Sequence, residues 1–247
     1  MGSPCFRFKQ FTIWHDRCAM KVGTDGVLLG AWCPLSSHAH TRVLDIGTGS
    51  GLIALMLAQR ITQVTNTGKV SIDAIDIDAD AVNQAKYNFE QAPFTCPINA
   101  WHTTLQEWQA KGGAYDLIVS NPPYFQDSLK NPNAQRATAR HTDSLSYNEL
   151  IIHSARLLRN EGTLALVLPF EAKETIIALA AEQQMQPTHI ANVYPKPGKP
   201  AKRVLIALKK HGENRTINPP VEEDFYIESS TSPRSEEYAE MTQDFYL

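Results

Sequence analysis

Asn121-Pro122-Pro123-Tyr124 puts a side-chain amide, rigid backbone carbonyls and an aromatic ring within four residues. Residues 115–119 before it are mostly apolar and read as a short buried strand, with Lys111-Gly112-Gly113 at its other end. Pro122 and Pro123 have no N–H to donate, so the strand must stop there. The residue before each proline is pushed out of the helical region. A stiff, extended turn at the carboxyl end of a strand follows. Such a turn suits a planar substrate carrying an NH2 group. The Asn121 amide oxygen and a carbonyl, that of Pro122, can accept its two N–H groups while the Tyr124 ring stacks on its face. A polar loop closing a strand is the other reading of these four residues alone.

Asp45-Ile46-Gly47-Thr48-Gly49-Ser50-Gly51 is a second candidate, after an apolar run at 42–46. The dinucleotide fingerprint needs G-x-G-x-x-G, and here the third glycine comes one residue early. An anionic Asp45 would repel a pyrophosphate and favour a cationic ligand, such as the amino acid end of S-adenosyl-L-methionine. Asp76 closes the next apolar run and is placed to accept hydrogen bonds from two ribose hydroxyls. A tight turn with a capping aspartate, or an NAD site, remain the alternatives.

The elements that must hold these groups alternate. Strands are expected at 42–46, 70–77, 97–101, 115–119 and 163–168. Helices are expected at 52–60, 78–90, 105–110, 147–159 and 171–184, and an antiparallel pair at 189–194 and 203–208. This predicts an α/β fold with a mostly parallel seven-stranded sheet, helices on both faces and an antiparallel C-terminal strand pair. Ligands of such sheets bind at the carboxyl ends of the strands, near the switch in strand order. Residues 1–40 read as an N-terminal extension packed on the core, a hairpin within 5–17 and a short helix at 26–32 capped by Thr24 or Asp25. Residues 41–247 read as the main domain with an acidic tail. The aromatic pair in Asp244-Phe245-Tyr246-Leu247 suggests that this tail is anchored. Residues 125–143 are polar and without periodicity, as functional or disordered loops are.

Net charge is −3, unevenly spread: residues 211–247 hold nine acidic and two basic side chains, residues 1–210 seventeen and twenty-one. A mildly basic body with an acidic tail is compatible with RNA binding. Four cysteines have neither metal-type nor disulfide-type spacing. They suit a reducing compartment, so a cytoplasmic protein is expected, with no metal. No apolar run reaches membrane-spanning length.

The ordered set Asp45, Gly47, Gly49, Gly51, then Asp76, then Asn121-Pro122-Pro123-Tyr124 resembles a Rossmann-like class I S-adenosyl-L-methionine-dependent amino-methyltransferase, over about residues 41–170. Met20-Lys21-Val22-Gly23-Thr24-Asp25-Gly26-Val27-Leu28-Leu29-Gly30-Ala31-Trp32 and Asp244-Phe245-Tyr246-Leu247 narrow this to the bacterial tRNA(Val) adenine-N6 methyltransferases, which modify adenine 37 in the anticodon loop. The resemblance implies catalytic roles for Asn121, Pro122 and Tyr124. It implies S-adenosyl-L-methionine contacts from Lys21, Thr24, Asp25, Asp45, Gly47, Gly49, Gly51, Asp76 and Asn121. Many relatives carry an acid after the third strand that contacts the cofactor adenine. Here the stretch is Trp101-His102-Thr103-Thr104-Leu105, where Thr104 or a backbone group would have to serve.

With tRNA as partner, Lys130, Arg136, Arg140 and His141 are candidates for phosphate contacts. A second basic cluster, Lys196, Lys199, Lys202 and Arg203, offers the same chemistry. Transfer of a methyl to an exocyclic nitrogen needs neither a metal nor a covalent enzyme intermediate. A glutamine-N5 protein methyltransferase and a guanine-N2 rRNA methyltransferase use similar groups, and an inactive RNA-binding module would keep the fold.

Overall fold

The computed structural model describes residues 3–18, 20–35, 40–64, 69–123, 145–212 and 218–247. A hairpin of β1 (Cys5–Arg7) and β2 (Thr12–Trp14) precedes helix α1 (Thr24–Trp32). The central alternation follows: β3 (His40–Ile46), α2 (Leu52–Val64), β4 (Lys69–Asp76), α3 (Ala79–Gln91), β5 (Ile98–His102) and β6 (Tyr115–Ser120). After it come α4 (Tyr147–Leu157), β7 (Leu158–Pro169), α5 (Lys173–Glu182), β8 (Met185–Tyr194), β9 (Arg203–Lys210), β10 (Val221–Tyr226) and α6 (Glu236–Thr242). No helix among the described residues is long and apolar enough to cross a membrane.

Eight strands form one sheet in the order β10-β8-β9-β7-β6-β3-β4-β5. β9 runs antiparallel to both neighbours, and every other pairing is parallel. The seven expected strands are all present, and the eighth, β10, lengthens the sheet along one edge. From β3 the sheet grows through β4 to β5, and then the chain returns to lay β6 on the other side of β3. The gap between the carboxyl ends of β3 and β6 is therefore the topological switch point, where open α/β sheets bind ligands.

Alternate side chains divide the core between the two faces. Val43, Leu117 and Val119 meet Leu28 and Leu29 of α1, and Ile53 and Leu57 of α2. Leu44, Ile46 and Ile118 meet Leu150 and Ile151 of α4, and Ile176 of α5. All six residues of β6 are buried, as a central strand covered on both faces requires. α1 lies close on α2: a Cβ at Gly30 would stand 2.7 Å from Met56 Sδ.

The chain ends close over the outer side of α1 and α2. Phe8, Phe11, Ile13 and Phe245 form one cluster with Val27, Leu52, Leu55 and Met56. The Lys9 amide donates to the Phe245 carbonyl at 2.8 Å, and Gln59 Nε2 to the Asp244 carbonyl at 2.9 Å.

Several local expectations are corrected. Residues 105–110 form no helix: the Trp108 amide makes a single turn onto the Thr104 carbonyl, and buried Trp108 donates its indole N–H to the Tyr115 hydroxyl. The helix expected over 147–159 ends at Leu157, because Leu158 already pairs with Tyr115 in the sheet. Residues 170–172 form a 3-10 turn that leads into α5. Neither Thr24 nor Asp25 caps α1. Gly23 is the cap residue, and the Asp25 carboxylate turns to Arg203 instead.

Candidate active site

The two sequence motifs meet at the switch point. Ile46 and Ser120, the last residues of β3 and β6, are register partners, so Gly47 and Asn121 leave the sheet side by side. Ser120 Oγ donates to the Ile46 carbonyl at 2.9 Å and locks the two strand ends together. Asn121 is half-buried, Pro122 buried and Pro123 exposed. Tyr124 lies outside the described residues.

The first half of the glycine loop is pinned by the end of β4. The amides of Gly47 and Thr48 both donate to the Ile75 carbonyl, at 2.9 and 3.1 Å. The Gly49 amide donates to Asp76 Oδ2 at 2.8 Å. Gly47 and Gly49 have φ of 69° and 54°, and a Cβ at either would meet nothing within 4 Å. Their outer faces are open space, as close approach of a ligand to the backbone requires. Gly51 differs. Its Cβ would stand 2.4 Å from Phe89 Cε1, so this glycine lets α3 pack against the loop.

Asp45 lies wholly buried beneath the loop. Its Oδ2 accepts the Thr48 hydroxyl at 2.7 Å, and its Oδ1 has no hydrogen-bond partner. Burial pushes its carboxyl up to about 7, against the lowering effects of the Thr48 hydroxyl and the Ala54 amide. A buried carboxylate is costly unless hydrogen bonds or a cation offset it. Its charge beneath an open glycine backbone fits a ligand carrying an ammonium group. Asp76 accepts one amide at each oxygen, Gly49 N–H at Oδ2 and Asp78 N–H at Oδ1 (2.9 Å). A carboxylate oxygen has two acceptor positions, so each keeps one for a hydroxyl.

Three neighbours of Asp76 escape a reading of the sequence. Ile77, directly after it, is 55% exposed, an apolar ledge at the open end of β4. The Asp-Ile-Asp pattern at a strand end was the available signal for it. His102 Nε2 lies 3.0 Å from the Ile77 carbonyl and steadies that ledge. Cys18 lies close enough that Asp76 and Asp78, after burial itself, push its thiol up to about 11. The stretch before α1 thus runs beside Asp76. α3 holds it there: Gln84 Oε1 accepts the Arg17 amide at 3.2 Å, and Asn88 takes both backbone groups of Trp14. The same Asn88 donates to the Ser50 carbonyl of the glycine loop at 2.8 Å.

The other candidates are dispersed. Thr104 Oγ1 accepts the Glu107 amide at 3.2 Å, and the neighbouring Thr103 amide donates to the Asp76 carbonyl at 3.0 Å. Lys21 and Thr24 are exposed. Asp25, a cofactor candidate, and Arg203, an RNA candidate, form an ion pair with each other at 3.0 Å. Lys199 is exposed on the turn between β8 and β9. Lys130, Arg136, Arg140 and His141 lie outside the described residues.

The Methyltransferase small domain family model matches residues 31–184. A tRNA1(Val) (adenine(37)-N6)-methyltransferase of Parabacteroides distasonis is 49% identical over 248 residues, covering 100% of this chain and 99% of that protein. The chain belongs to that methyltransferase family. A member from Aeromonas salmonicida, with the same name, is 44% identical over 244 residues, 98% of this chain and 97% of its own length. A solved structure from Agrobacterium tumefaciens, described as a predicted O-methyltransferase, superposes with a TM-score of 0.65 at 17% identity, over 90% of this chain and 96% of that one. This last likeness concerns the fold alone. The matched family model spans the glycine loop, Asp76 and Asn121, so the residues that meet at the switch point lie within the methyltransferase domain.

Proposed function

We propose that the chain methylates the exocyclic N6 of adenine 37 in tRNA1(Val), with S-adenosyl-L-methionine as methyl donor, in the cytoplasm. The observation that carries this reading is the pairing of Ile46 with Ser120, which sets the open glycine loop beside Asn121. When bound, S-adenosyl-L-methionine would supply an electrophilic methyl group on a sulfonium, with the neutral thioether as leaving group.

The chain's own residues divide the remaining work. Gly47 and Gly49 admit the amino acid end against the backbone, and buried Asp45 supplies the opposing negative charge. Asp76 accepts the ribose hydroxyls, and Ile77 offers an apolar face to the adenine of the cofactor, with Thr104 nearby. An adenine N6 is a poor nucleophile because its lone pair is delocalised into the ring. Asn121 Oδ1 and the Pro122 carbonyl accept its two N–H groups, which favours a pyramidal nitrogen with its lone pair free. Positioning and fixed dipoles then carry the rate. The base must leave its stack to reach this turn, where Tyr124 follows as a stacking platform. Lys130, Arg136, Arg140, His141, Lys199 and Arg203 hold the RNA backbone, with Arg203 shared with Asp25.

Transfer of tritiated methyl from S-adenosyl-L-methionine to unmodified tRNA1(Val), followed by nucleoside analysis, tests the reading. N6-methyladenosine at position 37 is expected. N2-methylguanosine, or label in protein glutamine, would move the chain to one of the alternative substrates.

A further inference from the structure

A cleft of about 330 Å³ lies between the β8–β9 connection and the segment that follows β10. Lys196, Glu228, Ser229, Ser230, Thr231 and Ser232 line it. The base of the cleft is fixed by backbone bonds: the Ile227 amide donates to the Tyr194 carbonyl at 3.0 Å and the Glu228 amide to the Pro195 carbonyl at 2.9 Å. The hydroxyl-bearing side is a built turn. Ser229 Oγ accepts the amides of Thr231 and Ser232 at 3.2 and 2.9 Å, and the Ser229 amide donates to the Ser232 carbonyl at 3.0 Å. On the facing side, the Lys199 amide closes onto the Lys196 carbonyl at 3.1 Å, so one turn presents both exposed lysines.

Topology puts this cleft on the rim that carries Asn121. β8 and β10 run parallel to each other and, through antiparallel β9, in the same direction as β7 and β6. The loops after all of them leave the sheet at the same end. β8 is three strands from β6 and β10 is four, which at about 4.8 Å per strand is roughly 14–19 Å. Phosphates on one nucleic acid strand are about 3.4 Å apart along the axis when stacked, and roughly twice that when the chain is stretched around a flipped base. The span equals about two to five nucleotides.

We propose that this cleft binds a backbone phosphate of the substrate RNA about two to five nucleotides from the methylated adenine. The inference rests on the tRNA reading above. Ammonium and hydroxyl groups are the side chains that position nucleic acid through phosphate oxygens without reading sequence. The Glu228 carboxylate opposes an anion, and it confines the phosphate to the end formed by Lys196 and the hydroxyls. Such a contact fixes the register of the strand and is made before the chemical step, so it belongs to RNA binding and not to methyl transfer.

The test uses the full chain and an unmodified tRNA1(Val) transcript. Lys196→Ala should raise the KM for RNA severalfold and lower the salt slope of RNA binding by about one. Its kcat and its KM for S-adenosyl-L-methionine should match the wild type, and Lys196→Arg should keep wild-type behaviour. Neutral methylphosphonate linkages placed singly along the transcript should impair the wild type at one phosphate two to five nucleotides from the target. That interference should vanish in Lys196→Ala. Transfer by the wild type with an unchanged Lys196→Ala profile would sink this inference alone. No transfer by the wild type would sink it together with the substrate reading.

Discussion

Arg203 Nε donates to Asp25 Oδ2 at 3.0 Å, so the first turn of α1 is tied to the first residue of β9. Both side chains are partly exposed, at 30% and 24%. Arg203 pairs in the sheet with Pro169, the last residue of β7, and so stands on the rim that carries the site. A half-exposed pair of this kind contributes about 0.2–1 kcal/mol. Asp25→Ala and Arg203→Ala should each lower stability within that range, and the double variant should lose no more than either alone, as thermal unfolding will show. RNA affinity separates the two residues. If Arg203 also touches phosphate, Arg203→Ala weakens RNA binding and Asp25→Ala does not. Equal RNA affinities would leave the pair purely structural.

Asp76 keeps one acceptor position on each oxygen after serving Gly49 and Asp78. Asp76→Ala should weaken S-adenosyl-L-methionine binding by roughly 1.5–3 kcal/mol, the value of a hydrogen bond to a charged group. Calorimetric titration of the folded variant measures it. Unchanged affinity would remove Asp76 from the cofactor site.

Asn121 is assigned a contact that strengthens as the nitrogen pyramidalises, so its loss should appear in the transition state. Asn121→Ala should slow single-turnover methylation by ~10²–10³ fold, by analogy with loss of an oxyanion-type donor. Cofactor and RNA affinities should change little. A wild-type rate in this variant would reduce the turn to a strand end.

Asp45 has a carboxyl raised from 3.8 to about 7 by burial. The folded chain therefore binds a proton there that the unfolded chain has already released. Stability from this group is fully present below the unfolded value and falls as pH rises from about 4 to about 7. Chemical denaturation across that window should show the decline, and Asp45→Asn should flatten it. A cation brought against the loop favours the carboxylate, so cofactor binding near pH 6.5 should release a proton. Titrations in buffers of different ionisation enthalpy would detect that release; identical apparent enthalpies would exclude it.

Asn88 is wholly buried and joins Trp14 to Ser50. Asn88→Ala leaves the buried Ser50 carbonyl and the part-buried backbone groups of Trp14 without that partner, and a buried group left unpaired costs about 1–3 kcal/mol. The melting temperature should fall clearly. Amide exchange should rise at Trp14, whose N–H bonds to Asn88 Oδ1. Protection unchanged at Trp14 would mean that the hairpin is held by its aromatic cluster alone.

The parts of the site written in contiguous residues were legible from the chain. A glycine loop with its acid, and a proline pair after an apolar run, declare turns at strand ends by local sterics alone. The parts made by distant partners were not. Only the fold shows that Gly26 and Gly30 face Leu52 and Met56 of α2. Asp25 has the composition of a helix cap, and an arginine 178 residues away takes it instead. β10 was hidden because Val221, Glu222, Glu223 and Asp224 are all exposed, leaving no alternation to read. The 105–110 segment has the spacing of a helix, yet Trp108 is spent on reaching the Tyr115 hydroxyl. Ile77 reads as one more strand residue until its exposure is seen.

The contact between Lys9 and Phe245 also sets an order of events at the ribosome. Phe8 and Phe11 are synthesised well over two hundred residues before Phe245. At about 5–20 residues per second, the amino-terminal aromatics wait roughly ten to fifty seconds for the segment that covers them. That stitch of the fold is therefore made only after residue 245 has been added. A chain cut short between β10 and α6 would carry its glycine loop and its proline turn, and would still show an uncovered patch of phenylalanine to the chaperones and proteases of the cell.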